Sequence, residues 1–251
     1  MVGGAGRMGQ ALAENLNLID GLVVSALVDL HEPPRLFGAT YYATLGEVDA
    51  AGVDVVVDFS QPDSVVASAK WCATNHRGLV IGTTGLSEDQ RAVVETAANS
   101  TGVIMASNFS LGAVLSERFA AIAAPYFERV EIIELHHDRK VDAPSGTSIA
   151  TANRIRQARS SAGRVTPDEP TQLHTLEDAR GSDAGDGVRI HSVRLPGLVA
   201  HQEVLFGGPG EGLTIRHDSY DRVSFVQGVA IAVSHVDATP GFTWGIDDFV
   251  A

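Results

Sequence analysis

The segment 134–147 (ELHHDRKVDAPSGT) combines side chains that suit acid–base chemistry on an anionic substrate. His136 can donate or accept a proton near neutral pH, and Lys140 adds a compact ammonium charge at the end of the same predicted strand. Gly146 and Thr147 lie at the start of a predicted helix, where backbone N–H groups bind anions such as carboxylates. The segment therefore predicts a site with two anion anchors and an acid, which a dianionic substrate would need.

Each of these features also has an ordinary structural explanation. A lone histidine is more often structural or exposed, and a Ser-Gly-Thr sequence often only caps a helix. His136 and His137 are adjacent on a strand and so point to opposite faces, and no third ligand has suitable spacing, so we expect no metal site. Of the 18 basic residues only Lys70 and Lys140 are lysines, which favours a specific task for Lys140, whereas Lys70 fits a solvated position.

A glycine-rich loop at the start of the chain suits a second kind of ligand. Residues 2–9 (VGGAGRMG) place Gly3, Gly6 and Gly9 at a spacing that lets backbone approach a pyrophosphate closely, where a predicted helix begins. Asp29 follows twenty residues after Gly9, at the end of the next predicted strand, where a carboxylate can accept hydrogen bonds from a ribose diol. Glycines also serve ordinary turns, but loop, helix, strand and acid in this order predict a dinucleotide-binding site.

The charges around this loop bear on the choice of nucleotide. Asp29 disfavours a 2′-phosphate by like-charge repulsion, which favours NADH. Arg7, His31 and Arg35 could offset that repulsion and admit NADPH. We therefore expect NADH or NADPH to bind with weak discrimination.

The first strand of the expected sheet is short. Only Met1 and Val2 precede Gly3, although strands in such sheets usually run about 5–6 residues. We expect the natural chain to begin several residues upstream; the alternative is a poorly anchored cofactor loop.

Composition limits the classes of protein open to this chain. Its 251 residues are 44% hydrophobic and 20% charged, enough for one large domain or two small ones with a buried core. The formal net charge of −13 disfavours binding to a nucleic-acid backbone, and no apolar run approaches the ~18 residues of a membrane span. Cys72, the single cysteine, cannot form an internal disulfide, and we expect no secretory signal. We expect a cytoplasmic protein without nucleic-acid or membrane partners.

The first half of the sequence alternates apolar runs with helical periodicity. We predict strands over 22–29, 54–59, 79–81 and 103–105, and helices over 7–19, 62–76 and 87–100. Continuously apolar strands that alternate with helices are typical of a parallel sheet covered on both faces.

The pattern changes from about residue 109. We predict a helix over 111–126, a strand over 129–137, a helix over 148–160, a long polar connection over 161–187, and strands of an antiparallel or mixed sheet over 188–195, 201–206 and 212–219. A last helix, 224–234, is apolar enough to pack back on the first sheet. The expected fold is α/β, with a doubly wound parallel-sheet domain (1–109 plus 218–251) interrupted by an α+β mixed-sheet domain (110–217).

These segments together resemble the dihydrodipicolinate reductase family, enzymes that act as 4-hydroxy-tetrahydrodipicolinate reductase in the diaminopimelate route to lysine. The likeness covers nearly the whole chain and includes the glycine loop and segment 134–147. Residues 82–85 (GTTG) are similar to the family's turn at the nicotinamide end, 106–109 (ASNF) to its cofactor stretch, and 191–207 (HSVRLPGLVAHQEVLFG) to the strands through which these enzymes form tetramers. Ser107 departs from the family pattern, which often has proline or alanine there.

The resemblance implies a Rossmann-type cofactor domain and a role for each matching residue. His136 would be the proton donor and acceptor, and Lys140 a second proton donor, in the NAD(P)H-dependent reduction of hydroxy-tetrahydrodipicolinate to tetrahydrodipicolinate. The implied substrate contacts are His137, Gly146 and Thr147, and the implied cofactor contacts are Gly3, Gly4, Ala5, Gly6, Arg7, Met8, Asp29, Gly82, Thr83, Thr84, Ala106, Ser107, Asn108 and Phe109. A homotetramer is implied as well. Since cofactor and substrate would be held by different domains, we expect closure about hinges near Phe109 and His217.

Two other functions stay open on the sequence alone. Another two-domain dehydrogenase of amino-acid metabolism, for instance one acting on a semialdehyde, would share the glycine loop. The acylating kind needs a nucleophilic thiol, and Cys72 lies within a predicted helix far from the site segments. A non-catalytic nucleotide-sensing relative is consistent with the short first strand, although the presence of both His136 and Lys140 disfavours it.

Overall fold

The computed structural model describes residues 1–166 and 168–250. They form two compact units: unit 1 comprises Met1–Leu111 with Arg222–Ala251, and unit 2 comprises Gly112–Asp221. The boundaries expected from the sequence, 109/110 and 217/218, differ from these by two and four residues.

The regular elements are short and follow one another closely. The helices are α1 (Arg7–Leu16), α2 (Pro62–Asn75), α3 (Glu88–Ala97), α4 (Leu111–Ala123), α5 (Gly146–Ser161) and α6 (Val226–Val236). The strands are β1 (Ala26–Val28), β2 (Thr40–Tyr42), β3 (Val55–Asp58), β4 (Gly78–Ile81), β5 (Gly102–Met105), β6 (Arg129–His136), β7 (Ser182–Asp183), β8 (Val188–Arg194), β9 (Ala200–Gly208), β10 (Glu211–Ser219) and β11 (Gly241–Trp244).

Unit 1 contains a parallel sheet whose middle position is held by the start of the chain. Strands β1 and β2 pair on one side, and β3, β4, β5 and β11 follow one another on the other side. Val2 joins the two parts through parallel bridges to Val28 of β1 and Asp58 of β3. Chain order therefore reverses at Val2, which is the topological switch point where such sheets bind ligands.

The apolar strands explain why this sheet is covered on both faces. Leu79 and Ile81 of β4 pack with buried residues of α2 and α3, whereas the alternate residue Val80 is buried outside that cluster. Helix α6 packs on β3, β4 and β5 and also contacts α1. Burial of both strand faces is the reason that these strands appear in the sequence as continuous apolar runs.

The predicted strand 22–29 is wrong over its first half, and the predicted helix 7–19 is too long. Helix α1 ends at Leu16 because Asn17 caps it: its side-chain amide donates to the carbonyl oxygen of Ala13 at 3.1 Å. The side-chain Oδ1 of Asn17 accepts the backbone N–H of Val24 at 2.8 Å, so Val24 hydrogen-bonds to the end of helix α1 and not to a strand. Only Ala26–Val28 pair in the sheet.

Unit 2 is built on a mixed sheet with the order β10–β9–β6–β8–β7. The central strand β6 pairs parallel with β8 and antiparallel with β9. One face of this sheet is covered by α4 and α5, which bury an apolar cluster that includes Ile132, Ile155 and Phe206. The predicted α/β class, with a doubly wound parallel sheet and a separate mixed sheet, is confirmed.

The long polar connection before β8 contains one short strand that the sequence did not predict. β7 pairs antiparallel with β8 through Ser182 and Asp183. Across the described ranges, no helix combines the length and the apolar character needed to cross a membrane.

Candidate active site

Strand β6 ends at the first of the predicted chemical residues, His136. Along this strand Val130, Ile132 and Glu134 alternate on the buried face, and Glu134 is fully buried. A buried carboxylate is costly unless it is paired and hydrogen-bonded. The contacts of Glu134 therefore decide how the end of β6 is arranged.

Glu134 accepts hydrogen bonds from three parts of unit 2. Its Oε2 lies 2.5 Å from His136 Nδ1 and 2.8 Å from Arg194 Nη1, and its Oε1 accepts from Arg194 Nη2 at 2.8 Å. The backbone N–H of Ser145, the residue before α5, also donates to Oε1 at 3.2 Å. One carboxylate thus connects the predicted acid to the start of the predicted anion-binding helix.

These contacts keep the Glu134 carboxylate ionised. Burial alone would raise its pKa, but hydrogen bonds from His136, Arg194 and Ser192 outweigh burial and hold the pKa at about 2, against an ordinary value of 4.5. An ionised carboxylate is only an acceptor. The hydrogen atom between Glu134 and His136 is therefore carried by His136 Nδ1.

Lys140 is held by a carboxylate close to the same network. Its Nζ donates to both oxygens of Asp142, at 2.7 and 2.8 Å, and these contacts lower the pKa of Asp142. The backbone carbonyl of Asp142 accepts from Arg194 Nη2 at 2.7 Å. Arg194 therefore connects the Lys140–Asp142 pair to Glu134.

The start of α5 has the local features of an anion-binding helix end. Ser145 caps the helix by accepting the backbone N–H of Ser148 at 3.2 Å, and the first turn contains no acidic side chain. Gly146 is exposed, and a Cβ placed on it would meet nothing within 4 Å. Backbone of this kind can be approached closely by a ligand.

His137 follows His136 in the chain, and its side chain has a buried polar atom. Its Nδ1 is buried and has no hydrogen-bond partner in the described part of the chain. A buried polar atom without a partner is unfavourable unless a ligand or water reaches it. Within the same described residues, no three His, Cys, Asp or Glu side chains come together as a group that could hold a metal ion.

In unit 1 the glycine loop needs its glycines for close packing. A Cβ on Gly9 would lie 2.1 Å from the Gly3 carbonyl oxygen, and Gly3 itself has φ +82°. Gln10 fixes the loop by donating to the carbonyl of Gly4 at 2.7 Å. Asp29 accepts the backbone N–H of Ala5 at 2.9 Å, so the predicted ribose carboxylate also shapes the loop.

A cavity of about 370 Å³ lies next to this loop at the switch point of the sheet. Gly3, Gly6 and Asp29 line it, together with Phe59 and Ser60, which follow β3. Arg7 is exposed and Met8 half-buried at the start of α1. The cavity suits part of a nucleotide, because it combines glycine backbone, a helix N-terminus and a carboxylate.

The turn after β4 is shaped by residues that follow β3. A Cβ on Gly82 would lie 2.1 Å from the ring of Phe59, so only glycine fits there. Thr83 is buried, and its hydroxyl accepts the Ser60 N–H at 2.9 Å and lies 3.2 Å from Asp58 Oδ1. The Thr83 hydroxyl is thus engaged inside unit 1, and Thr84 and Gly85 are the exposed residues of this turn.

The stretch 106–109 divides between core and surface. Ala106 and Phe109 are buried, and the Phe109 ring stacks at a tilt on Phe59, with centroids 5.5 Å apart. Ser107 is exposed, and Asn108 accepts the Ser110 N–H at 2.9 Å. Only part of this predicted cofactor stretch therefore presents side chains to solvent.

Several residues that shape the glycine-loop site of unit 1 and the Glu134 network of unit 2 were not predicted from the sequence. They are Asp58, Phe59 and Ser60 in unit 1, and Glu134 and Arg194 in unit 2. A signal was present for Glu134, because strand alternation from Val130 places it on the core face, where a carboxylate needs partners. Asp58 ends an apolar strand at the sheet edge where ligands bind, which is a comparable signal.

Cys72 does not provide the nucleophile that an acylating semialdehyde dehydrogenase requires. It is fully buried in α2, and burial raises the pKa of its thiol. A thiol in such surroundings stays protonated and unreactive.

Unit 1 has a parallel sheet with a glycine loop and a cavity at its switch point, and unit 2 carries a histidine, a lysine and a helix N-terminus. Together these features define a dinucleotide-dependent oxidoreductase. Comparison with known proteins makes this class more specific. The family models described as dihydrodipicolinate reductase, N-terminus, and dihydrodipicolinate reductase, C-terminus, match residues 1–109 and 112–250.

Curated relatives and a solved structure agree with these models. The chain is 46% identical to 4-hydroxy-tetrahydrodipicolinate reductase of Nocardia farcinica, covering 100% of this chain and 97% of that protein. It is 42% identical to the reductase of Streptococcus thermophilus, over 98% and 96% of the two chains. The dipicolinate-bound dihydrodipicolinate reductase of Paenisporosarcina sp. TG-14 is 38% identical, with a TM-score of 0.87 over 98% of this chain and 97% of that chain.

The chain therefore belongs to the dihydrodipicolinate reductase family, whose members are NAD(P)H-dependent oxidoreductases. A myo-inositol dehydrogenase from Corynebacterium glutamicum, 13% identical with a TM-score of 0.61, shares the fold alone. The alternative of a non-catalytic nucleotide sensor is not favoured, because the relatives are named as reductases.

Proposed function

We propose that this chain reduces 4-hydroxy-tetrahydrodipicolinate to tetrahydrodipicolinate with NADH or NADPH, in the diaminopimelate route to lysine. The observation that carries this proposal is the single hydrogen-bonded network in unit 2. That network connects His136, Lys140 and the start of α5 through Glu134, Arg194 and Asp142.

Unit 2 is proposed to bind the substrate. A heterocycle with two carboxylates needs two positive partners in a chain whose formal net charge is −13. Lys140 offers one, and the backbone N–H groups of Gly146 and Thr147 at the start of α5 offer the other. The unpartnered Nδ1 of His137 offers a further polar contact. Dipicolinate, which is bound in the Paenisporosarcina relative, is a stable dicarboxylate of this kind and serves as a probe.

Unit 1 is proposed to hold the nicotinamide dinucleotide. The fit rests on the cavity beside the glycine loop and on positions in that loop where any Cβ would clash with backbone, so that only glycine is accommodated. The proposed contacts are Gly3, Gly4, Ala5, Gly6, Arg7, Met8 and Asp29 around the loop, Gly82, Thr83 and Thr84 after β4, and Ala106, Ser107, Asn108 and Phe109 after β5. When bound, the reduced nicotinamide supplies a hydride.

The residues of unit 2 are proposed to handle charge and protons. The substrate loses water, and the resulting conjugated imine gains one hydride and one proton. Negative charge then develops on the ring, and the Lys140 ammonium and the α5 terminus are fixed positive partners for it. The protonated ring of His136 delivers its Nε2 proton to the enamine carbon, directly or through water, while Glu134 holds the Nδ1–H.

The choice between the two nucleotides is proposed to be weak. Asp29 repels a 2′-phosphate, but its carboxylate already accepts the Ala5 N–H. Arg35 is exposed and pairs with Glu14 at 3.0 Å, so it is available to an incoming phosphate in exchange for that carboxylate.

We further propose a homotetramer that works in the cytoplasm. Support for an assembly comes from large apolar side chains that are exposed at and beside β9 and β10, namely Leu195, Val199 and Leu213. Analytical ultracentrifugation of the full chain tests the tetramer directly, and a monomer at micromolar concentration would contradict it.

The reductase function is tested by following loss of NADH or NADPH absorbance with enzymatically generated substrate. Oxidation that depends on the heterocycle is expected with both nucleotides. An aspartate-derived semialdehyde alone serves as the control and is expected to give none. Nucleotide binding without turnover would instead favour the sensor function, and turnover of the semialdehyde would favour the rival dehydrogenase.

A further inference from the structure

The surroundings of Glu134 consist of hydrogen-bond donors at both of its oxygens. Oε2 faces His136 Nδ1 and Arg194 Nη1, and Oε1 faces Arg194 Nη2 and the Ser145 backbone N–H. The side chain is fully buried, so water does not compete for these donors. Only a group with two acceptor oxygens satisfies all four contacts.

We propose that Glu134 is a positioning residue of the reductase: it holds His136 through Nδ1 and leaves Nε2 as the nitrogen that exchanges the proton with the substrate. In the proton-donating form both ring nitrogens of His136 carry a hydrogen, and Nε2 gives its proton to the substrate. Because Glu134 is an acceptor only, the neutral ring that remains must carry its hydrogen on Nδ1. Arg194 keeps the carboxylate in place with a two-point contact. This role rests on the proposed function, in which His136 is the proton donor.

A carboxamide at position 134 tests this role because it cannot reproduce the contacts in either orientation. If its NH₂ replaces Oε2, it meets the donors of His136 and Arg194; if it replaces Oε1, it meets those of Arg194 and Ser145. In the first orientation His136 Nδ1 must become the acceptor. The ring hydrogen then moves to Nε2, the nitrogen assigned to the substrate.

The same strand offers a matched control at Glu131. Its carboxylate also accepts from a histidine, His191 Nε2 at 2.7 Å, and from an arginine, Arg180 Nη1 at 3.3 Å. It lies three residues before Glu134 on β6 and outside the proposed machinery. Glu131→Gln therefore removes a similar charge from a similar pair without touching His136.

Steady-state kinetics of full-chain variants show whether activity depends on the charge or on the size of the side chain at position 134. We expect Glu134→Gln to lower kcat by roughly 10²-fold, within the usual range for a general acid. Glu134→Asp keeps the charge on a shorter side chain and is expected to retain more activity than Glu134→Gln. Glu131→Gln is expected to keep the parental kcat. If Glu134 served packing alone, Glu134→Gln would keep more activity than Glu134→Asp, because glutamine matches glutamate in size. A folded Glu134→Gln variant with parental kcat would overturn the proposal.

Nitrogen-15 NMR of histidine-labelled protein at alkaline pH reads the tautomer directly, with His136→Gln used to assign the signal. In the parent we expect the hydrogen on His136 Nδ1, and in Glu134→Gln a shift of population toward Nε2. A parent ring with its hydrogen on Nε2 would overturn the proposal even if Glu134→Gln fails to fold. If the parent itself does not turn over the heterocycle, the proposed function fails, whereas the tautomer still decides whether Glu134 positions His136.

Discussion

Replacing Asp142 with asparagine is expected to tighten the binding of a heterocyclic dicarboxylate. The Asp142 carboxylate lies 2.7 and 2.8 Å from Lys140 Nζ, so a ligand carboxylate competes with Asp142 for the Lys140 ammonium. The Asp142 side chain is 56% exposed. An exposed pair of this kind contributes about 0–1 kcal/mol. Because 1 kcal/mol corresponds to about fivefold in Kd, the Asp142→Asn variant is expected to bind dipicolinate up to about five times more tightly.

Isothermal titration calorimetry of the parent and the variant with dipicolinate measures this change. Asp138→Asn is the matched control, since Asp138 is an exposed carboxylate near Lys140 in sequence and its loss changes the net charge equally. The gain for Asp142→Asn is expected to shrink at high salt, because exposed charges are screened. Equal or weaker binding by Asp142→Asn, or an equal gain in Asp138→Asn, would show that Asp142 does not compete for Lys140.

The glycine loop of unit 1 and the Glu134 network of unit 2 give three further expected results. Gly9→Ala places a Cβ 2.1 Å from the Gly3 carbonyl oxygen, so we expect it to destabilise unit 1 by about 1–3 kcal/mol and to weaken NADH binding. Thermal unfolding measures the stability and fluorescence titration the binding. The control Gly52→Ala, whose Cβ would meet nothing within 4 Å, is expected to change neither quantity. Lys140→Ala is expected to lose about 2–4 kcal/mol of transition-state stabilisation, measured as kcat/KM, and parental turnover would exclude the role proposed for Lys140. The pKa of Glu134 is about 2 in the folded chain against an ordinary 4.5, so its ionised side chain contributes roughly 3 kcal/mol to the free energy of unfolding. This contribution is present above pH 4.5 and is lost as the pH falls toward 2. Urea unfolding across that pH range should therefore show a shallower pH dependence for Glu134→Gln than for the parent.

The sequence predicted best the elements that are buried on both faces. β3, β4 and β5 appear as continuous apolar runs, and the structure places each within a residue or two of its predicted bounds. β2 and β11 escaped prediction because they are edge strands of three and four residues that are only partly buried. Such strands are held by one neighbour each, and that neighbour leaves no pattern in their own sequence.

The candidate site was predictable in its chemical groups but not in its connections. The types and spacing of His136, Lys140 and Gly146 identified the segment, because those residues follow one another in the chain. Arg194 lies far along the sequence and reaches Glu134 because β6 and β8 pair in a register that sets His136 beside Arg194. Strand register depends on the assembled sheet, so no local pattern could have shown this contact.

The buried thiol of Cys72 makes the stability of one unit measurable apart from the other. It is the single cysteine of the sequence, and it lies fully buried within the apolar cluster of unit 1. An alkylating reagent can reach it only when that cluster opens, so the rate of modification reports the opening equilibrium of unit 1. A nucleotide bound at the glycine loop would slow this reaction in proportion to its affinity, and occupancy could thus be followed without any catalytic turnover.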